Sequence, residues 1–155
     1  MVDVLYLFMW LGILAPHLQD DFSFRLTMTR IEKSKDSYTI VETWNVEGSQ
    51  LVYTKKYSGR FSNKTPEEKS ATLTKTQLET LPKFMAELSL QKDISTPKLS
   101  NFEVPYSAIM ADFNLQQFGR AYSIALFDLA KNIEENKDYQ NLQTLQRHLI
   151  QLLED

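Results

Sequence analysis

Residues 104–127, VPYSAIMADFNLQQFGRAYSIALF, decide the fold. The run is rich in apolar and aromatic side chains, and Phe118-Gly119 interrupts it with the x-Gly form favoured in a two-residue type I′ hairpin turn. With that loop, Leu115 faces Tyr122, Phe113 faces Ile124 and Ala111 faces Leu126, and the two-residue period of a strand puts all six on one side. A slip of one residue would turn one strand's apolar set into water, so the register is strongly specified. The hairpin is expected to be the centre of a core.

The chain has 155 residues, is 43% hydrophobic and carries a net charge of −3. This suits one globular domain with a substantial core. The acidic balance argues against a general nucleic-acid binder, which shows a basic face. There is no cysteine, which excludes disulfides, thiolate catalysis and cysteine metal sites.

Residues 4–16, VLYLFMWLGILAP, form a continuous apolar run, short of the ~20 residues a membrane helix needs but of the length of a signal-peptide core. Polar sequence begins directly after it, at Gln19-Asp20-Asp21. Asp3, the lack of a basic residue ahead of the run, and Pro16 after Ala15 count against a signal peptide. Residues 1–19 are read as a signal peptide or an apolar N-terminal helix, and residues 20–155 as one α+β domain. The expected location is periplasmic or extracellular, with contact to membrane only through residues 1–19 before cleavage. The alternative is cytoplasmic.

Beyond that point the pattern alternates. Phe24, Leu26 and Met28 lie on one side of a strand and Arg25, Thr27 and Thr29 on the other. A polar turn, Lys33-Ser34-Lys35-Asp36, follows. A second hairpin turns at Gly48-Ser49, where a leading glycine suits type II′, and sets Trp44 against Tyr53, Ile40 against Tyr57 and Glu42 against Lys55. Residues 59–72 are polar and read as a loop in which Thr65-Pro66-Glu67-Glu68 carries the signals of one helical turn. Thr74-Lys75-Thr76-Gln77 is a capping box that opens a helix with Leu78, Leu81, Met85 and Leu88 along one stripe; Pro82 inside it predicts a kink or a restart. Residues 89–101 read as a linker broken by Pro97, and residues 131–138 as a charged connection. The last helix carries Leu142, Leu145, Leu149 and Leu152 on one stripe, with Asp138 as its N-cap. The expected architecture is an antiparallel sheet of about five strands with two helices on one face, order βββαββα, preceded by the apolar segment. Residues 37–90 and 104–155 have the look of a repeated hairpin–helix unit.

Candidate chemistry is sparse. Outside the N-terminal segment, which holds His17, His148 is the single histidine, and it has neither nucleophile nor ligand set beside it. Glu42 and Asp112 are carboxylates inside strands, but alternation points them to opposite faces, so they cannot flank one substrate bond. None of the four glycines is spaced as a phosphate loop. No catalytic, cofactor or metal residue is assigned. Tyr38, Trp44, Tyr53 and Tyr57 cluster on adjacent strands; they suit a core first and a binding surface second. The side opposite the helices is expected to show Thr27, Thr29, Thr43, Thr54, Lys56, Asp112 and Asn114. The sequence therefore points to a non-enzymatic binding or interaction module for a protein or small ligand, not nucleic acid, with no cofactor. A hydrolase ranks last. In element order and acidity the chain is also similar to the small dimeric chaperones of type III secretion, which implies a cytoplasmic chaperone or adaptor as the second reading. No residue role is carried over from that family.

Overall fold

The computed structural model describes residues 22–33, 36–96 and 107–154. The apolar segment 1–19, Ser34-Lys35 of the first turn, Pro97 with the end of its linker, and the first residues of the 104–127 stretch lie outside the described residues. The chain runs β1 (Ser23–Glu32), β2 (Tyr38–Glu47), β3 (Gln50–Gly59), β4 (Glu67–Thr72), α1 (Lys75–Glu87), β5 (Ile94–Ser95), β6 (Ala108–Gln117), β7 (Arg120–Leu129), α2 (Ala130–Ile133) and α3 (Lys137–Glu154). The seven strands form one sheet in the order β4-β3-β2-β1-β6-β7-β5. The class is α+β, but the sheet is mixed and larger than expected from the sequence, because β5 joins β7 in parallel.

Both hairpins hold the registers that their turns dictate. Phe113 pairs with Ile124, Ala111 with Leu126 and Leu115 with Tyr122; Trp44 pairs with Tyr53, Ile40 with Tyr57 and Glu42 with Lys55. At the β6–β7 turn Phe118 has φ +52° and Gly119 φ +68°, the two left-handed residues of a type I′ loop. Strand β1 lies between the hairpins and joins them, with Leu26 opposite both Trp44 and Phe113. One face of the sheet supplies Phe24, Leu26, Trp44, Val46, Leu51, Phe113, Ile124 and Leu126 to a single core, which Leu81 and Met85 of α1 and the leucine stripe of α3 complete. The opposite face carries Thr27, Thr29, Thr43, Thr54, Lys56, Asp112 and Asn114, none of them buried.

Several expectations from sequence are corrected. Residues 67–72 form an edge strand on β3 instead of a loop with one helical turn. An isolated turn of helix fixes several residues for one hydrogen bond, whereas the same residues pair along an open strand edge. Since β4 is exposed along almost its whole length, no apolar period marked it. The 89–101 linker contains β5, a two-residue strand, and the charged connection 131–138 begins with the single turn α2. The cap of α3 is Asn136, whose Oδ1 accepts from the N–H of Asp138 at 2.9 Å and of Tyr139 at 3.1 Å. Asp138 pairs instead with Lys92.

Helix α1 opens with the expected reciprocal box: the Gln77 N–H donates to Thr74 Oγ1 at 3.2 Å and the Thr74 N–H to Gln77 Oε1 at 2.8 Å. It runs through Pro82 without interruption. It ends in a Schellman motif, with Leu90 N–H on Met85 O and Ser89 N–H on Ala86 O, and Ser89 stands at φ +55° where glycine is usual. A left-handed residue with a Cβ costs ~1–2 kcal/mol, and glycine loses ~0.5–1 kcal/mol through its looser unfolded chain. Ser89→Gly is therefore expected to stabilise the domain by about 0.5–1 kcal/mol, read as a higher urea midpoint at unchanged slope. An unchanged or lower midpoint would mean that the serine hydroxyl serves this turn.

Candidate functional site

The four aromatic residues singled out from the sequence do not form one site. Trp44 is fully buried and Tyr53 is 8% exposed, their ring centroids 5.1 Å apart inside the core. Tyr38 and Tyr57 stand at the other end of the β2–β3 hairpin in a partly exposed lattice of rings and cations. There Tyr38 packs on Phe61 at 4.7 Å, the Arg60 guanidinium lies 4.8 Å from the Tyr38 ring, and Lys64 sits 4.5 Å from that of Phe61. The Tyr57 hydroxyl donates to Glu67. Gly59 permits this corner: at φ +69° it lies so close to β2 that an added Cβ would meet Ser37 O at 2.2 Å.

Between the two aromatic pairs is Glu42. The alternation of β2 that buries Trp44 and Val46 also turns Glu42 to the helix side, where a carboxylate needs partners. It has two from β3. Tyr53 Oη donates to Glu42 Oε1 at 2.7 Å, and Lys55 Nζ is 3.5 Å from the same oxygen. A hollow opens on each side of the carboxylate. One, of about 290 Å³, is lined by Met28, Arg30, Ile40, Ile109, Tyr139 and Gln143 among others. The other, of about 150 Å³, is lined by Trp44, Tyr53, Glu67, Lys69 and Leu153 among others. Glu42 lines both. The wall is one flank of α3, with Tyr139, Gln143 and Gln146 over the first hollow and Ile150, Leu153 and Glu154 over the second. Three- and four-residue steps keep these six on one edge of a helix.

The polar groups here are unevenly satisfied. Trp44 Nε1–H is buried with no hydrogen-bond acceptor. A buried donor left in that state costs ~1–3 kcal/mol, so native proteins rarely keep one without a purpose. Burial, reinforced by the hydrogen bond to Glu42, raises the Tyr53 hydroxyl well above its ordinary pKa. Burial, the largest single influence, would lower the Lys55 ammonium, but Glu42, Tyr57 and Glu67 together outweigh it and the net shift is upward. Burial also raises Tyr139. At neutral pH the trough thus offers an ammonium donor beside a shared carboxylate and neutral phenols, with the Trp44 indole N–H buried behind them. Chemically, these groups can both donate to and accept from a polar molecule.

The upward shifts have a consequence for stability. A group whose pKa is raised on folding contributes stability that is complete below its unfolded value, about 10 for tyrosine and 10.4 for lysine, and that fades as pH climbs through the folded value. The urea midpoint is expected to hold level from pH 7 to about 9.5 and then to fall steadily. In Tyr53→Phe the alkaline fall should be shallower than in the parent. Equal slopes in the two proteins would remove Tyr53 from the account.

The other sequence candidates fall elsewhere. His148 is half-buried, with its ring 4.7 Å from that of Phe84 where α3 meets α1. Asp112 faces away from Glu42, on the open side of the sheet. Arg30, Tyr139 and Gln143 join the trough only in three dimensions; the one sequence sign of them is the polar flank of α3 beside its leucine stripe. Among the described residues no group of three or more His, Cys, Asp or Glu is placed to hold a metal ion. No helix of those residues is long and apolar enough to cross a membrane. No protein-family model matches the chain, and no curated protein is significantly similar to it.

Proposed function

We propose that this protein is a non-enzymatic binding module whose ligand enters the trough on either side of Glu42. The observation that carries the proposal is the Glu42 carboxylate, which lines both hollows, with Trp44, whose buried indole N–H has no acceptor, in the wall of the second. A ligand oxygen or an ordered water would satisfy that N–H. Support also comes from what surrounds it: side chains that donate and accept hydrogen bonds, with no paired nucleophile and base among them. On this reading the module acts in the periplasm or outside the cell, with residues 1–19 as its targeting segment. The cytoplasmic chaperone or adaptor stays as the second reading because strands, helix, hairpin and helix follow one another around a single sheet.

The test uses ¹⁵N-labelled full-length protein and the low-mass fraction of a native-host extract. Ligand entry should move the Trp44 indole resonance, distinguished from Trp10 by a Trp10→Phe variant, and mass spectrometry should recover the bound compound unchanged. A bound compound recovered in altered form would make the protein an enzyme. An unmoved indole signal would remove the trough from the proposal.

A further inference from the structure

The larger of the two hollows beside Glu42 has a charge pattern of its own. Arg30, Lys55 and Glu42 line it, and Met28 and Ile109 give it a buried aliphatic floor. Glu42 and Lys55 hold each other, and Tyr53 holds Glu42 as well. Arg30 is not held. The alternation of β1 that buries Phe24, Leu26 and Met28 turns Arg30 to the same side of the sheet. Its cross-strand neighbours there are Ile40 and Ile109, and Glu42 stands only diagonally from it. The chain has five arginines. Arg25 donates to Asn45, Arg60 pairs with Asp36, Arg120 lies over the Tyr122 ring and Arg147 donates to Thr144. Among the described residues, Arg30 alone of the five has no such partner.

A guanidinium presents its N–H donors in one plane and matches a carboxylate through two parallel hydrogen bonds. Set over an aliphatic floor, it suits an anion with an apolar body. The balance of the lining narrows the class. Two cations against one carboxylate leave a single positive charge, which a monocarboxylate cancels. A phosphate monoester, at about −1.5 to −2, would leave net negative charge beside Glu42. The hollow of about 290 Å³ is the space of roughly ten waters at ~30 Å³ each, so a molecule of about that many non-hydrogen atoms fills it. We infer, resting on the trough as a binding site, that this hollow takes a small monocarboxylic acid. Its carboxylate sits on the Arg30 guanidinium, its hydrocarbon lies on Met28 and Ile109, and a hydroxyl at its far end donates to Glu42.

The test titrates full-length protein with para-hydroxyphenylacetate, its neutral amide and para-hydroxyphenyl phosphate, by calorimetry and by the ¹⁵N shift of Arg30 Nε. The acid is expected to bind at least about tenfold more tightly than the amide or the phosphate, and to move the Arg30 signal. Arg30→Gln should cost the acid about tenfold or more and the amide less than about twofold, at an unchanged urea midpoint because the side chain is exposed and unbonded. Arg30→Lys, which keeps the charge without the fork, should recover only part of the loss. Lys56→Gln removes the same charge on the opposite face of the sheet and should leave the acid within about twofold of the parent. Equal binding of acid and amide, tighter binding of the phosphate, or equal losses in Arg30→Gln and Lys56→Gln would each overturn the inference. So would a failure of all the probes to bind at millimolar concentration. In any of these cases a Trp44 indole signal that still answers to the native-host extract keeps the trough as a site for another class of ligand, whereas an unmoved one removes both.

Discussion

Phe113→Ala is expected to remove about 3–5 kcal/mol of stability, enough to leave the domain close to unfolding at room temperature. Phe113 is fully buried at the middle of β6. It pairs with Leu26 on one side and Ile124 on the other, and its ring is 6.0 Å from that of Phe24. Truncation forfeits the transfer energy of the ring and leaves a void that strands hydrogen-bonded on both sides cannot close. The measurement is urea unfolding followed by circular dichroism, with Phe118→Ala as the comparison. That second change removes an exposed ring in the turn that follows the strand and should move stability by no more than ~0.5 kcal/mol. A loss below about 1 kcal/mol for Phe113→Ala would mean that the β6–β7 hairpin is not the centre of the core.

The contrast between those two phenylalanines shows what the sequence could disclose. Where one face of a strand is buried, the two-residue period and the turn residues together leave a single register, and both hairpins have it to the residue. Strand β4 shows the opposite case. It joins the sheet by backbone pairing to an open edge, a bond every residue type can make, so Glu67–Thr72 carries no mark of it beyond the charges that blunt an edge strand. Strand β5 is two residues long and beyond the reach of any period. The aromatic cluster was legible as a set of neighbours, but not as two sets. Tyr38 and Trp44 are six residues apart on the same face, which a strand stretches to ~20 Å. The trough combines a strand carboxylate with the polar flank of a helix almost a hundred residues later. Only the angle at which α3 crosses the sheet brings them together, and no local pattern encodes that angle.

Glu42→Leu is expected to cost about 1–2 kcal/mol, although it puts a larger apolar surface on the core side of the sheet. The reason is the partner left behind. Tyr53 Oη is held in a site 8% exposed and gives its hydrogen bond to Glu42 Oε1 at 2.7 Å, so without the carboxylate it loses its acceptor. Lys55 is about a quarter exposed and can turn to water, so it contributes little to the loss. Glu42→Gln separates the two effects. The amide oxygen still accepts from Tyr53, only the charge facing Lys55 is lost, and the expected cost is below about 0.5 kcal/mol. Combined with Tyr53→Phe, which removes the orphaned hydroxyl, Glu42→Leu should recover most of its deficit and show a coupling of about 1 kcal/mol in the double-mutant cycle. Additive losses would mean that the hydrogen bond is not formed in solution. The same pair of variants also tests the trough as a site. Glu42→Gln keeps the fold but exchanges a carboxylate for a group that both donates and accepts, so ligand affinity should fall about tenfold or more while the urea midpoint hardly moves. If affinity instead follows stability through the series, falling in Glu42→Leu and holding in Glu42→Gln, then Glu42 supports the fold alone and the ligand is recognised elsewhere.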